Sequence, residues 1–219
     1  MPTAYFDLDK TLLARNSATL WVKSELRGGH IRWTTAVRAA TWIARYELGM
    51  ARMEEAVLAA IASIEGQSEQ VIVDRTEAFW KQQVRHLVRP GAREALDRHR
   101  AAGDRLVLLT SSSLYLSRLA QEELGLDAIL CNRFEVKEGS FTGRPEGGLC
   151  FGAGKLDHAQ ADASAHGEVL GEATFYTDSR SDLPVLEAVG KPVAVNPDPR
   201  LRRHARRVNW PVVDWGTPC

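Results

Sequence analysis

Nowhere in the 219 residues does an apolar run approach the roughly 20 needed to span a bilayer as a helix. A bilayer-spanning chain is therefore not expected. Cysteine is scarce: Cys131, Cys150 and Cys219 are odd in number and lack metal-ligand spacing. That argues against a disulfide framework and a zinc cluster, and points to free thiols in a reducing cytoplasm. Net charge is absent too, with 28 Lys and Arg against 28 Asp and Glu, so no global field would gather nucleic acid. No internal repeat or low-complexity tract stands out. The chain enters a strand pattern at once, so no signal peptide is expected. What is there is a 44% hydrophobic composition typical of globular proteins, and length for one large domain or a core with a smaller insert.

Four short apolar runs read as buried strands: Thr3–Leu8, Arg105–Thr110, Ala173–Asp178 and Pro192–Asn196; Ala128–Cys131 is a fifth candidate. Between them lie helical patterns ending near glycine, such as PGAREALDRHRAAG and SLYLSRLAQEELG. The alternation predicts an α/β fold, a doubly wound parallel sheet covered on both faces. RFEVKEGSFTGRP alternates with period two around Glu138-Gly139 and predicts an appended β-hairpin. From Asn16 to Val88 no strand is evident, only amphipathic helices punctuated by Gly28-Gly29, Gly49 and Gly66. This predicts a helical cap over 16–88, inserted into a core of 1–15 and 89–219.

Seven Lys or Arg lie between Arg15 and Arg52 against Glu25 and Glu47, and Arg200–Arg207 reads RLRRHARR. The latter is read as a solvated helix face. Trp33, Trp42 and Tyr46, with Arg32, Arg38 and Arg45, suit either a lipid-facing helix or a bundle interface with Trp33 and Val37 inward. The bundle interface is favoured, because aromatic stripes at helical spacing usually form core.

AYFDLDKTLL sets Asp7 and Asp9 at the end of the first strand. Ligands of open parallel sheets bind at the carboxyl ends of the strands. The other ends supply Thr110 and Ser111, then Asp178 with Asp182 one helical turn later. Lys155 stands in FGAGKLDHA, a glycine-punctuated lead into a helix. Converging buried carboxylates repel one another, and a hard cation such as Mg²⁺ removes that objection. Positions two apart on an extended strand point the same way, so Asp7 and Asp9 would face one reacting group. One would attack phosphorus while the other carries the proton of the leaving alcohol.

These residues resemble the haloacid dehalogenase superfamily of phosphohydrolases. DLDKT is similar to its first motif, LVLLTS to its second, Lys155 to its third and YTDSRSD to its fourth. The helical insert resembles the cap of the phosphoserine-phosphatase-like branch, on a Rossmann-like core. The resemblance implies Asp7 as nucleophile and Mg²⁺ ligand. It implies Asp9 as general acid and base, with its backbone carbonyl on the metal. Thr110, Ser111 and Lys155 would hold the transferring phosphoryl group. Asp178 would ligate Mg²⁺, and Asp182 would support the metal site and Lys155. The second carboxylate, Asp9, favours a phosphatase over the dehalogenase and P-type ATPase branches, which lack it.

Simpler roles stand beside these. Thr11 suits a turn cap, Asp182 a helix-start carboxylate, Ser179 and Ser181 turn positions, His158 and His166 the surface. Lys137 and Lys191 are further candidates for the lone lysine. The chain departs from the family at Lys10, at Thr177-Asp178-Ser179, and at Ala14-Arg15-Asn16-Ser17. The last stretch lacks the carboxylate that receives a phosphoserine ammonium, so phosphoserine is disfavoured. The expected function is a Mg²⁺-dependent phosphomonoester hydrolase acting on a small phosphorylated metabolite. The alternatives are a lysophospholipid-type ester phosphatase, a phosphomutase, and a non-catalytic phosphate-binding module. The cap is expected to open on hinges near Arg15 and Arg89–Gly91.

Overall fold

The apolar runs become parallel strands of one sheet: β1 (Thr3–Phe6), β2 (Arg105–Ser113) and β3 (Ala128–Asn132). A computed structural model describes residues 2–34, 37, 41 and 53–218. The hairpin forms as expected from β4 (Phe134–Lys137) and β5 (Ser140–Pro145). β6 (Thr174–Thr177) and β7 (Lys191–Val195) extend the main sheet, and β8 (Val212–Val213) is a two-residue edge that the sequence pattern did not announce. The sheet order is β3-β2-β1-β6-β7-β8, with every pairing parallel.

Parallel neighbours require crossovers, which here are helical. The crossover from β1 to β2 holds the insert: α1 (Ser17–Arg27), α2 (Met53–Ala62) and α3 (Glu69–Phe79), the last continuing through a π-turn over Trp80–Val84. The core adds α4 (Pro90–Ala102), α5 (Leu114–Leu124), α6 (Ala153–Ala165), α7 (Leu183–Ala188) and α8 (Pro199–Arg207). Side chains alternate along each strand. Phe6 and Leu108 therefore face Ala95, Leu96 and Ala120 on one side, while Tyr5, Val107 and Phe175 face Ala159, Leu186 and Leu201 on the other. Burial on both faces is why the strands read as unbroken apolar runs rather than alternating ones. Each Leu, Val or Phe among these contributes about 1.5–3 kcal/mol by leaving water.

The two connections to the insert run side by side. Leu13 pairs antiparallel with Val88, Ala14 N–H donates to the Leu87 carbonyl (2.8 Å) and Arg89 N–H to that of Leu12 (2.9 Å). The hairpin also grips the insert. Phe141 N–H donates to the Gln67 carbonyl (2.9 Å), and Gly66 N–H returns the bond to Phe141 (2.8 Å). Ile72, Tyr115 and Phe141 bury one another beneath this contact, and the Tyr115 hydroxyl donates to Glu69 (2.8 Å).

The inward packing expected for Trp33 and Val37 is not found: they are 69% and 53% exposed. Helical spacing settles which residues share a face, not what covers that face. Trp42, Tyr46, Arg38, Arg45 and Gly49, which shared in that expectation or in the helix stops, lie outside the described residues. Among the described residues no helix is long and apolar enough to cross a membrane.

Candidate active site

β1 ends at Phe6, but Asp7 stays in register, its N–H donating to the Tyr176 carbonyl (2.9 Å). The chain then turns sharply out of the sheet over Leu8–Leu12. Asp9 is extended (φ −71°, ψ 129°) and Lys10 is left-handed (φ 59°). The same-face argument for Asp7 and Asp9 is therefore corrected: no strand runs between them. A left-handed residue redirects the chain toward the insert. Asp9 instead accepts from Ser17 at the start of α1, from N–H at 2.7 Å and from Oγ at 3.0 Å.

Sheet register carries the other candidates to the same edge. Phe6 pairs with Leu108 and with Tyr176, which sets Thr110 and Asp178 two residues beyond, flanking the Asp7 turn. Lys155 arrives from the far layer, in the first turn of α6. Gly152 adopts φ 54°, ψ −120°, and a Cβ on Gly154 would stand 2.0 Å from the Leu149 carbonyl oxygen. Only glycines allow so tight an approach. The Lys155 ammonium, 2% exposed, donates to Asp7 Oδ1 at 2.7 Å and to Asp182 Oδ2 at 2.8 Å. Lys137 pairs instead with Glu135 (3.0 Å), and Lys191 is exposed at the start of β7.

Asp182 heads α7 without a side-chain capping bond; its Oδ2 also accepts from the Thr177 hydroxyl at 2.6 Å. Thr11 does more than close a turn. Its Oγ1 accepts from the Asp178 N–H (2.9 Å) and lies 3.4 Å from Asp178 Oδ1 and 3.5 Å from Asp7 Oδ2. Thr110 is buried and accepts from Ser112 N–H (3.2 Å). The Ser111 carbonyl accepts from Asn132 Nδ2 (2.6 Å), whose Oδ1 accepts from Cys150 N–H (2.8 Å). His158 and His166 lie at the surface on backbone carbonyls, as expected.

Sequence reasoning missed Ser17, Asn132, Thr177 and Arg89. The Arg89 guanidinium, 6% exposed, donates to the carbonyls of Lys10 (3.3 Å) and Gly216. Burial lowers its pKa, while Asp214 and Asp178 act to raise it. Its position next to a proline was the one available signal.

Burial dominates the electrostatics. It pushes the Asp7 carboxyl up to about 7, against the pull of Lys155 and with help from Asp182. Asp9 is raised by burial and restrained by Ser17. Asp178 is raised well above the usual carboxylate range by burial and by Asp7. Burial alone would lower the Lys155 ammonium, but Asp182 and Asp7 outweigh it and hold the cation. One ammonium thus stands among three buried carboxylates. The donors are all oxygen, which suits a hard divalent cation. Among the described residues no three His, Cys, Asp or Glu side chains close into an all-protein cage. Mg²⁺ needs none, since it usually takes one or two carboxylates, waters and a substrate phosphate. Asp7 and Asp178 are the residues that fit this role.

This parallel fold with its helical insert is that of a haloacid dehalogenase-like hydrolase, and the profile of that family matches residues 4–187. The chain belongs to this family, and it is a hydrolase of the phosphatase type. It is 31% identical over 216 residues to phosphoserine phosphatase SerB1 of Mycobacterium tuberculosis, covering 97% of this chain and 70% of that protein. Histidinol-phosphatase of Neisseria meningitidis serogroup C is 26% identical over 217 residues, covering 97% and 98%. A protein of unknown function from Bordetella pertussis Tohama I superposes with a TM-score of 0.90 at 30% identity, covering 98% of this chain and 99% of that one.

Proposed function

We propose that this chain is a Mg²⁺-dependent phosphomonoester hydrolase that works through an aspartyl phosphate on Asp7 and acts on a small phosphorylated metabolite. The observation that carries the reading is the buried Lys155 ammonium, held between Asp7 at 2.7 Å and Asp182 at 2.8 Å beside Asp178. Residues 1–15 and 89–219 form the catalytic core, and 16–88 the cap. Asp7, Asp178 and the backbone carbonyl of Asp9 would hold Mg²⁺, which supplies positive charge against the phosphoryl oxygens. Asp182 stands behind Lys155 and aims it.

Asp7 attacks phosphorus, the bond to the leaving oxygen breaks, and Asp9 gives that oxygen its proton. Water then attacks the acyl phosphate, Asp9 takes a proton from it, and the bond to Asp7 breaks to release phosphate. Lys155, the Thr110 hydroxyl and the Ser111 backbone offset charge on the transferring group. Burial raises the Asp9 pKa, which favours the protonated form that gives the leaving oxygen its proton.

Hydrolysis of an aryl phosphate tests the reading. Activity should require Mg²⁺ and be abolished in Asp7→Asn; metal-independent turnover, or full activity in the variant, would overturn it. A panel containing phosphoserine, histidinol phosphate and lysophosphatidic acid then ranks the substrate. Phosphoserine is disfavoured, because no carboxylate follows Asp9 before α1 and Glu25 is buried against Arg75 at 3.3 Å. The exposed Trp33 and Val37 support the lysophospholipid ester as a second reading. The buried free thiols Cys131 and Cys150 suit a reducing, cytoplasmic setting.

A further inference from the structure

The basic run near the end of the chain forms α8, with Arg200, Arg203 and Arg207 exposed. α8 places Arg200, Arg203, His204 and Arg207 at positions i, i+3, i+4 and i+7, one stripe along the helix. Leu201 and Ala205 bury the opposite side against the sheet. Arg180, from the loop after β6, faces the stripe, and together these five residues line a cavity of about 430 Å³. No acidic side chain lines it among the described residues. The nearby carboxylate of Asp198 is engaged by backbone: Oδ1 accepts from the N–H groups of Arg200 (2.7 Å) and Leu201 (2.8 Å), Oδ2 from that of Arg180 (2.7 Å). Glu187 stands 4.0 Å from His204 Nε2, and Arg207 lies 3.2 Å from His204 Nδ1.

We propose that this cavity is a second anion site, separate from the catalytic one, which binds a small oligophosphate. Four arginine side chains line one hollow. Arg forks pair with phosphate oxygens two at a time. The stripe extends about 10.5 Å along the helix axis, long enough for several linked phosphates and too long for one. The volume falls within the range of small-ligand sites, about 300–1,000 Å³, and the hollow is concave. A lipid surface would call for apolar side chains beside the arginines, and a nucleic acid strand for large aromatic platforms; among the described residues the lining holds no apolar side chain and no Phe, Tyr or Trp.

The site has a direct route to the catalytic edge. Arg180 is two residues beyond Asp178, and Asp198 N–H donates to the Asp178 carbonyl (2.8 Å). A ligand that draws Arg180 inward would act on the loop that carries Asp178.

Titration calorimetry with tripolyphosphate on the metal-free protein, at fixed ionic strength, tests this. One-to-one saturable binding is expected. The double variant Arg203→Gln, Arg207→Gln alters two exposed side chains, so it should fold normally and keep its aryl-phosphate hydrolysis. Its tripolyphosphate affinity should fall at least tenfold. Lys155→Met, or Thr110→Val if the first does not fold, should bind tripolyphosphate as the wild type does. Unchanged affinity in the double variant would overturn the proposal, as would loss of binding in the catalytic-site variant. Tight binding of a DNA oligomer or an anionic vesicle without saturable tripolyphosphate binding would overturn it as well.

Discussion

Burial sets the electrostatics of Asp7. Its carboxyl has an ordinary value of 3.8 and is pushed up to about 7 in the fold. The folded state therefore holds the proton more tightly than the unfolded chain does. Stability is fully present below about pH 4 and is lost as pH rises through 7. A dication bound to ionised Asp7 and Asp178 would return it. Added Mg²⁺ should thus raise the melting temperature more at pH 8 than at pH 5, read by scanning calorimetry; an equal shift at both would contradict this. Thr11 offers a second test. Thr11→Val leaves the Asp178 N–H without a partner, at a cost of about 1–3 kcal/mol. Melting should report the loss, and a Mg²⁺ titration of activity should shift to higher concentration. Asp7, Thr110 and Asp178 were legible as residue types at strand ends, and Lys155 as a lysine in a glycine-punctuated lead into a helix. The direction of Asp9 was not, because nothing in a lysine announces the left-handed backbone of Lys10.

Between elements, two of the contacts that join insert and core bear on the proposed chemistry and on how the insert could move. Asp9 is held by Ser17, the first residue of α1, so the proposed proton carrier is oriented by the insert itself. Ser17→Ala keeps the N–H bond and removes the hydroxyl one. It should lower kcat about tenfold, the equivalent of ~1.4 kcal/mol, with the fold intact by circular dichroism. Unchanged kcat would mean that the N–H alone orients Asp9. The second contact is the hairpin, which exchanges backbone hydrogen bonds with the turn between α2 and α3. Simple rotation about Arg15 and Arg89–Gly91 would break them unless the hairpin moves with the insert. The amides of Gly66 and Phe141 should therefore resist hydrogen exchange as well as the amides within the hairpin do. The hairpin itself was legible from its alternation and from Glu138-Gly139. Its docking was not, since no local pattern records which surface a hairpin meets.

Across the whole molecule, the segment after β8 closes over the root of the insert. Trp215 packs on Gly91, where an added Cβ would stand 2.7 Å from the indole, and its ring lies 5.2 Å from that of Tyr176. Arg89 joins this segment to the Asp7 turn through the Gly216 and Lys10 carbonyls. Arg89→Met removes the buried donor that the two carbonyls share and should destabilise the protein by about 1–3 kcal/mol, read by urea unfolding. Fold class was legible because strands buried on both faces leave continuous apolar runs. β8 was hidden by its two-residue length, and Arg89 by a role that spans 127 positions of sequence. The central claim is that Asp7 takes the phosphoryl group, and its most direct test is to trap that species. Acid quenching during turnover of a phosphorylated substrate, followed by peptide mapping, should find the mass of one phosphoryl group on the peptide bearing Asp7. Turnover with no label there, or with the label on another residue, would contradict the account.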